Sequence, residues 1–120
     1  MSATLRATTP RQKISAARER YLTHTNHLMM TVLDFNDGPA DQPDPPHSHP
    51  HEQITYVADG QVRFFLGDEA HDLSAGDMIA IPADIPHAIQ LLTPSARLVD
   101  TFSPVREDFL DGNGNLQDDL

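Results

Sequence analysis

The chain contains no cysteine. That absence removes disulfide frameworks and thiolate metal sites together, and it leaves the redox compartment unmarked. No apolar run approaches the ~18 residues that a membrane span requires, so no membrane association is expected. The opening "MSATLRATTPRQKISAARER" lacks the apolar core of a secretory signal. Export by that route is not expected, and the cytoplasm is the default location. Positive charge is scarce beyond this opening: residues 1–20 carry +4 and the remaining residues −14, for a net −10. An acidic body offers no footprint for nucleic acid, which needs a basic surface. The basic leader has the charge of a nucleic-acid or membrane arm, but its charges are dispersed, and it reads as a solvated terminus.

What is present is one domain's worth of chain, 120 residues, enough to close a single core. Short segments rich in Val, Ile, Phe, Tyr and Thr alternate with Gly, Asp and Pro. "ARERYLT" and "LMMTVLDF" flank "HTNH" as a hairpin, and "QITYVADG", "QVRFFLGDEA", "HDLSAGD", "MIAIPAD", "HAIQLL" and "ARLVDTFS" follow. Many short strands with regular turns point to an all-β sandwich or barrel. "FNDGPADQPDPP", residues 35–46, is too dense in Pro, Asp and Gly for a regular element. "SPVREDFL" reads as a short helix with Ser103 as N-cap and Pro104 in the first turn. The expected organisation is a flexible basic segment over 1–15, a barrel over 16–110 and an acidic tail over 111–120.

The densest chemistry lies in "PPHSHPHEQITYVADG", residues 45–60. Residues two apart on a strand share a face, so His47 and His49, roughly 7 Å apart along the chain, can converge on one ion. Gln53 shares their parity, but a straight strand would carry it ~20 Å from His47, so the chain must bend at 50–52. His87, in "GDMIAIPADIPHAIQLL", would arrive from a neighbouring strand. A His pair in a proline-rich loop can equally be solvated. Near the C-terminal end, "LVDTFSPVREDFLDG" sets a carboxylate, an aromatic ring and a guanidinium at Asp100, Phe102 and Arg106. These residues read either as a second chemical cluster or as a structural Asp100–Arg106 ion pair beside a core Phe.

"HSHPHEQITYVADG" followed by "GDMIAIPADIPHAIQ" resembles the two motifs of the cupin superfamily. The first is met by His47, His49, Gln53 and Gly60; the second by Gly76, Pro82 and His87, with Asp84 and Leu91 standing where Gly and Asn are usual. The resemblance implies a double-stranded β-helix (jelly-roll) barrel holding one divalent transition metal through His47, His49, Gln53 and His87. Imidazole-rich sites with oxygen support suit Zn, Ni, Fe, Mn or Cu. Four neutral ligands leave the ion its full +2, and binding needs neutral imidazoles, so affinity should fall below about pH 6.5. The pattern leaves His51 outside the ligand set, and His24, His27 and His71 read as solvated.

With "DxFSPxREDF" added, the sequence is similar to the KdgF-type pectin-degradation cupins. That likeness implies action on small unsaturated uronates, with ring opening and ketonisation. It implies that Asp100 moves a proton, Phe102 forms a wall and Arg106 holds the carboxylate of an anionic sugar substrate. Two other readings of a His-rich open site are an Fe-dependent dioxygenase and a non-catalytic metal-dependent carbohydrate-binding or sensor protein. A homodimer is expected, because small barrels leave sheet edges that pairing can cover.

Overall fold

The computed structural model describes residues 3–110, so the acidic tail over 111–120 lies outside the described residues. Nine strands form two antiparallel sheets. They are β1 (Gln12–Ser15), β2 (Arg18–His24), β3 (Met29–Phe35), β4 (Glu52–Asp59), β5 (Gln61–Leu66), β6 (Glu69–Ser74), β7 (Met78–Ile81), β8 (His87–Leu91) and β9 (Ala96–Ser103), followed by one helical turn, α1 (Glu107–Leu110). The larger sheet runs β1-β2-β3-β9-β4-β7 and the smaller β6-β5-β8. This is the all-β jelly-roll barrel of the cupin fold. No helix among the described residues is long and apolar enough to cross a membrane.

Alternation along the strands builds the interior. In β4 every second residue from Gln53 to Val57 is buried, and in β9 every second residue from Ala96 to Phe102. Leu33, Phe35, Val57, Val62, Phe64, Ile81, Ile89, Leu91, Ala96 and Leu98 form the main apolar core between the sheets. Burying such a side chain stabilises the fold by roughly 1.5–3 kcal/mol. A smaller cluster of Met29, Phe102 and Phe109, backed by Leu22 and Val105, closes the other end.

Two sequence expectations need correction, and a third gains detail. Gln12–Ser15, assigned to the flexible leader, is strand β1, paired with β2 through Gln12↔Arg20 and Lys13↔Glu19. Ile14 packs against the main core, but the other inward member, Gln12, is polar and hides the pattern: Gln12 accepts a hydrogen bond from the buried Arg20 and donates one to the Phe109 carbonyl. Residues 36–46 carry no helix or strand, as expected, but they are tied to the barrel. The amides of Gly38, Ala40, Asp44 and His47 donate in turn to the carbonyls of Pro94, Leu91, Ile89 and His87. The chain therefore lies along β8 as an irregular edge, its ladder interrupted where proline has no N–H to give. A Cβ on Gly38 would collide with the Thr93 carbonyl, so only glycine fits that approach.

The helix, finally, starts at Glu107 rather than at Ser103. Ser103 stays in β9, paired with Glu52, and its hydroxyl donates to the His27 carbonyl instead of capping a helix.

Candidate metal centre

The bend expected between His49 and Gln53 is present: Pro50 and His51 turn the chain and β4 starts at Glu52. His47 bridges to His87 through reciprocal backbone hydrogen bonds of 3.0 and 2.9 Å, which join the proline-rich edge to the start of β8. The His49 carbonyl accepts from the Asp84 amide at 2.8 Å. Asp84 takes the left-handed conformation (φ 66°) at the position where the cupin motif usually has glycine, a conformation that Asp tolerates better than most residues. The departure from the motif thus preserves the turn. Leu91, at the usual Asn position, is core.

These contacts bring one ring nitrogen each of His47, His49 and His87 within 4.8 Å of one another. Two features make the group fit a cation. His87 Nδ1 lies 2.9 Å from the Ile85 carbonyl, and its Nε2 is buried with no hydrogen-bond partner among the described residues. His49 Nδ1 lies 3.0 Å from the His51 carbonyl. A carbonyl only accepts, so both rings carry their proton on Nδ1 and present a bare Nε2 lone pair. For His49 that lone pair faces Gln53 Oε1 at 3.0 Å. Two acceptors at that separation repel unless a positive charge lies between them.

Electrostatics keep the rings neutral. His47 is depressed to about 3, first by burial and then by His87, His49 and Arg106. His49 and His87 are also lowered, chiefly by burial. The folded site therefore keeps its lone pairs to a lower pH than an unperturbed imidazole would.

Gln53 is buried at 6 % exposure; its Nε2 donates to Thr55 Oγ1 at 2.9 Å, and Thr55 Oγ1 donates to Asp100 Oδ1 at 2.6 Å. Asp100 is buried, and burial pushes its carboxyl up to about 6 against the opposing hydrogen bonds. Phe102 lies one inward step further along β9, its ring edge-on to His49 at 5.8 Å between centroids. Arg106 is buried with its guanidinium 4.4 Å from the Phe109 ring centre and 5.4 Å from that of Phe102. It holds the Asp108 carboxylate through Nε at 3.1 Å and a terminal nitrogen at 2.9 Å. The carboxylate held this way is therefore Asp108, and Asp100 is instead tied to Thr55. His51 is half-buried beside this end, lowered by burial and by Arg106, and its ring meets that of His49 at 5.5 Å. His24, His27 and His71 are exposed.

Two residues at this end were not anticipated. Thr55 shares the parity of Gln53 on β4, a signal that was available. Its contact with Asp100 depends on the β4–β9 register, Thr55↔Asp100, which nothing local specifies. Phe109 is the other: its ring is sandwiched between Arg106 and the buried Arg20, the latter at 3.7 Å.

Fold and site together define the class. The chain belongs to the cupin family: the family model of the cupin domain matches residues 35–101. Within that class it is 34% identical over 94 residues to the pectin degradation protein KdgF of Dickeya dadantii (strain 3937), covering 78% of this chain and 83% of that protein. The structure of KdgF from Halomonas sp. matches with a TM-score of 0.81 at 31% identity, covering 90% of this chain and 99% of that one. An RmlC-like cupin from Shewanella frigidimarina matches with a TM-score of 0.80 at 29% identity, covering 88% and 93%.

Proposed function

We propose that this protein is a metal-dependent cupin that opens or ketonises a small unsaturated sugar acid, the kind of step that pectin degradation requires. One observation carries the reading: a lone-pair cluster suited to a cation shares one end of the barrel with a buried guanidinium and a buried carboxyl. His47, His49, His87 and Gln53 would hold one divalent transition metal. When bound, the ion supplies Lewis-acid charge that polarises a substrate oxygen.

The chain's own residues do the rest. Arg106, packed against the Phe102 and Phe109 rings, orients the uronate carboxylate, whose planar geometry matches the guanidinium fork. The substrate carboxylate takes up an interaction of the type Asp108 makes. Phe102 forms an apolar wall that excludes water from the sugar face. Asp100 carries the proton between the enol oxygen and the neighbouring carbon. Its Oδ1 accepts the Thr55 hydroxyl, and a carboxyl raised to about 6 suits proton exchange near neutrality. The net charge of −10 repels an anionic substrate at long range, but screening over about 8–10 Å leaves Arg106 to decide at contact.

The working form in this reading is a cytoplasmic homodimer. Leu28, Met30, Ile54, Tyr56 and Met78 are 41–67% exposed on the outer face of the larger sheet. The pairings Ile54↔Thr101, Met30↔Thr101 and Tyr56↔Met78 make them one contiguous apolar surface. β1 pairs with its own β2, and the sheet face is the surface offered to a second copy.

The activity is tested by adding the metal-loaded protein to lyase-generated unsaturated monouronate and following loss of the C=C absorbance. The expected result is acceleration over buffer by the wild type that is lost in Asp100→Ala. A wild-type rate equal to that in buffer would remove the reading.

A further inference from the structure

A glutamine ligand poses a problem that a glutamate does not. Its side chain has an oxygen end and a nitrogen end, and only the oxygen can face a cation. We propose that Thr55 is a positioning residue that fixes which end of the Gln53 amide faces the three histidines. The proposal rests on the reading of Gln53 as the fourth metal ligand.

The polarity of the hydrogen-bond chain carries it. Thr55 has a single hydroxyl proton, and the 2.6 Å contact with Asp100 Oδ1 is the short distance of a hydroxyl donating to a carboxylate. With that proton committed, the Thr55 oxygen can only accept from its other neighbour. That neighbour is one end of the Gln53 amide at 2.9 Å, which must therefore be the N–H end. The opposite end, Oε1, is left beside His49 Nε2 at 3.0 Å, where the cation would sit. Thr55 is fully buried and Gln53 nearly so, so no water competes for the orientation. Reversing the amide would set its oxygen against the Thr55 lone pairs and its N–H groups against the metal. The same logic explains why position 53 holds Gln. A Glu there would confront Thr55 with two carboxylates and one proton to share between them.

Cobalt(II) titration tests this, with metal affinity and the visible spectrum of the bound ion as readouts. Thr55→Val keeps the side-chain shape and removes the hydroxyl. It is expected to weaken cobalt binding about 10-fold or more, in line with the loss of groups that orient ligands, and to alter the spectrum. Thr55→Ser restores the hydroxyl and is expected to restore both. Gln53→Ala separates the two levels of the argument. If Gln53→Ala loses affinity while Thr55→Val binds cobalt with wild-type affinity and spectrum, Gln53 is a ligand and the positioning role is wrong. If Gln53→Ala itself binds like the wild type, the ligand reading fails and the proposal falls with it. A measurement on the unmutated, zinc-loaded protein is independent of whether Thr55→Val folds. The Gln53 side-chain N–H protons are expected to exchange with solvent far more slowly than those of the exposed Gln61, and exchange at the Gln61 rate overturns the proposal.

Discussion

The same three strands line both halves of the barrel, yet their inward faces differ in kind. Toward one end, β3, β9 and β4 contribute Leu33, Leu98 and Val57, cross-strand neighbours in register. One inward step along, the row becomes Thr31, Asp100 and Thr55, and one step further Met29, Phe102 and Gln53. Backbone, pleat and burial are alike in all three rows; only the side chains change. The apolar half closes a core against β5 and β8, and the polar half orders a set of lone pairs that the apolar half could not support. A buried carboxyl, hydroxyl and amide cost stability unless they are hydrogen-bonded, and here Asp100, Thr55 and Gln53 are retained in one continuous network that ends beside the histidines.

The largest effect should come from the apolar half. Leu98→Ala removes a core side chain and is expected to cost about 2–5 kcal/mol in denaturant unfolding, while metal affinity at the other end stays near wild type. A large loss of metal binding in that variant would mean that the halves are not separable. A smaller effect of opposite sign is expected at the boundary row. Thr31 Oγ1 is buried with no hydrogen-bond partner among the described residues. Thr31→Val extends the apolar half by one position and is expected to stabilise the fold, or leave it unchanged, within about 1 kcal/mol. A loss of several kcal/mol would show that the hydroxyl serves the network.

Acid titration of the metal-free protein gives the gentlest probe of the polar half. The unfolded chain takes up protons on its imidazoles from near 6.5 downward, whereas folded His47 does so only near 3, and His49, His51 and His87 shift in the same direction. The unfolded state then binds more protons across that window, so stability falls as the pH is lowered through it. Asp100 works the other way. Its folded value of about 6 lies above the ordinary carboxylate value of 3.8, so its contribution is present below 3.8 and is lost as the pH rises through 6. One carboxyl set against four imidazoles leaves a net fall in midpoint on acidification, and Asp100→Asn should make that fall steeper. A midpoint that rises on acidification from pH 6.5 would contradict the shifts.

Much of this was legible in the sequence, for physical reasons. The two-residue alternation in "QITYVADG" and "ARLVDTFS" marks half-buried strands, and β2 through β9 fall on the segments read that way. His47, His49 and His87 come together as their spacing allowed, and the bend before Gln53 is the one that bringing Gln53 back toward His47 demanded. What escaped depended on partners distant in sequence. The 38–47 edge was concealed by prolines that cannot form a regular ladder, and β1 by polar Gln12, whose inward position makes sense only beside Arg20 and the Phe109 carbonyl. The likeness of Asp100 and Arg106 to an ion pair came from their nearness in sequence. Strand β9 holds Asp100 against Thr55, while Arg106, beyond the turn at Pro104, meets Asp108.

The central claim is that the polar half is a metal site, and metal content tests it most directly. Wild-type protein, loaded with a divalent transition metal and dialysed against metal-free buffer, is expected to retain one ion per chain, and His87→Ala, still folded, to retain none. Full occupancy in His87→Ala would contradict the account.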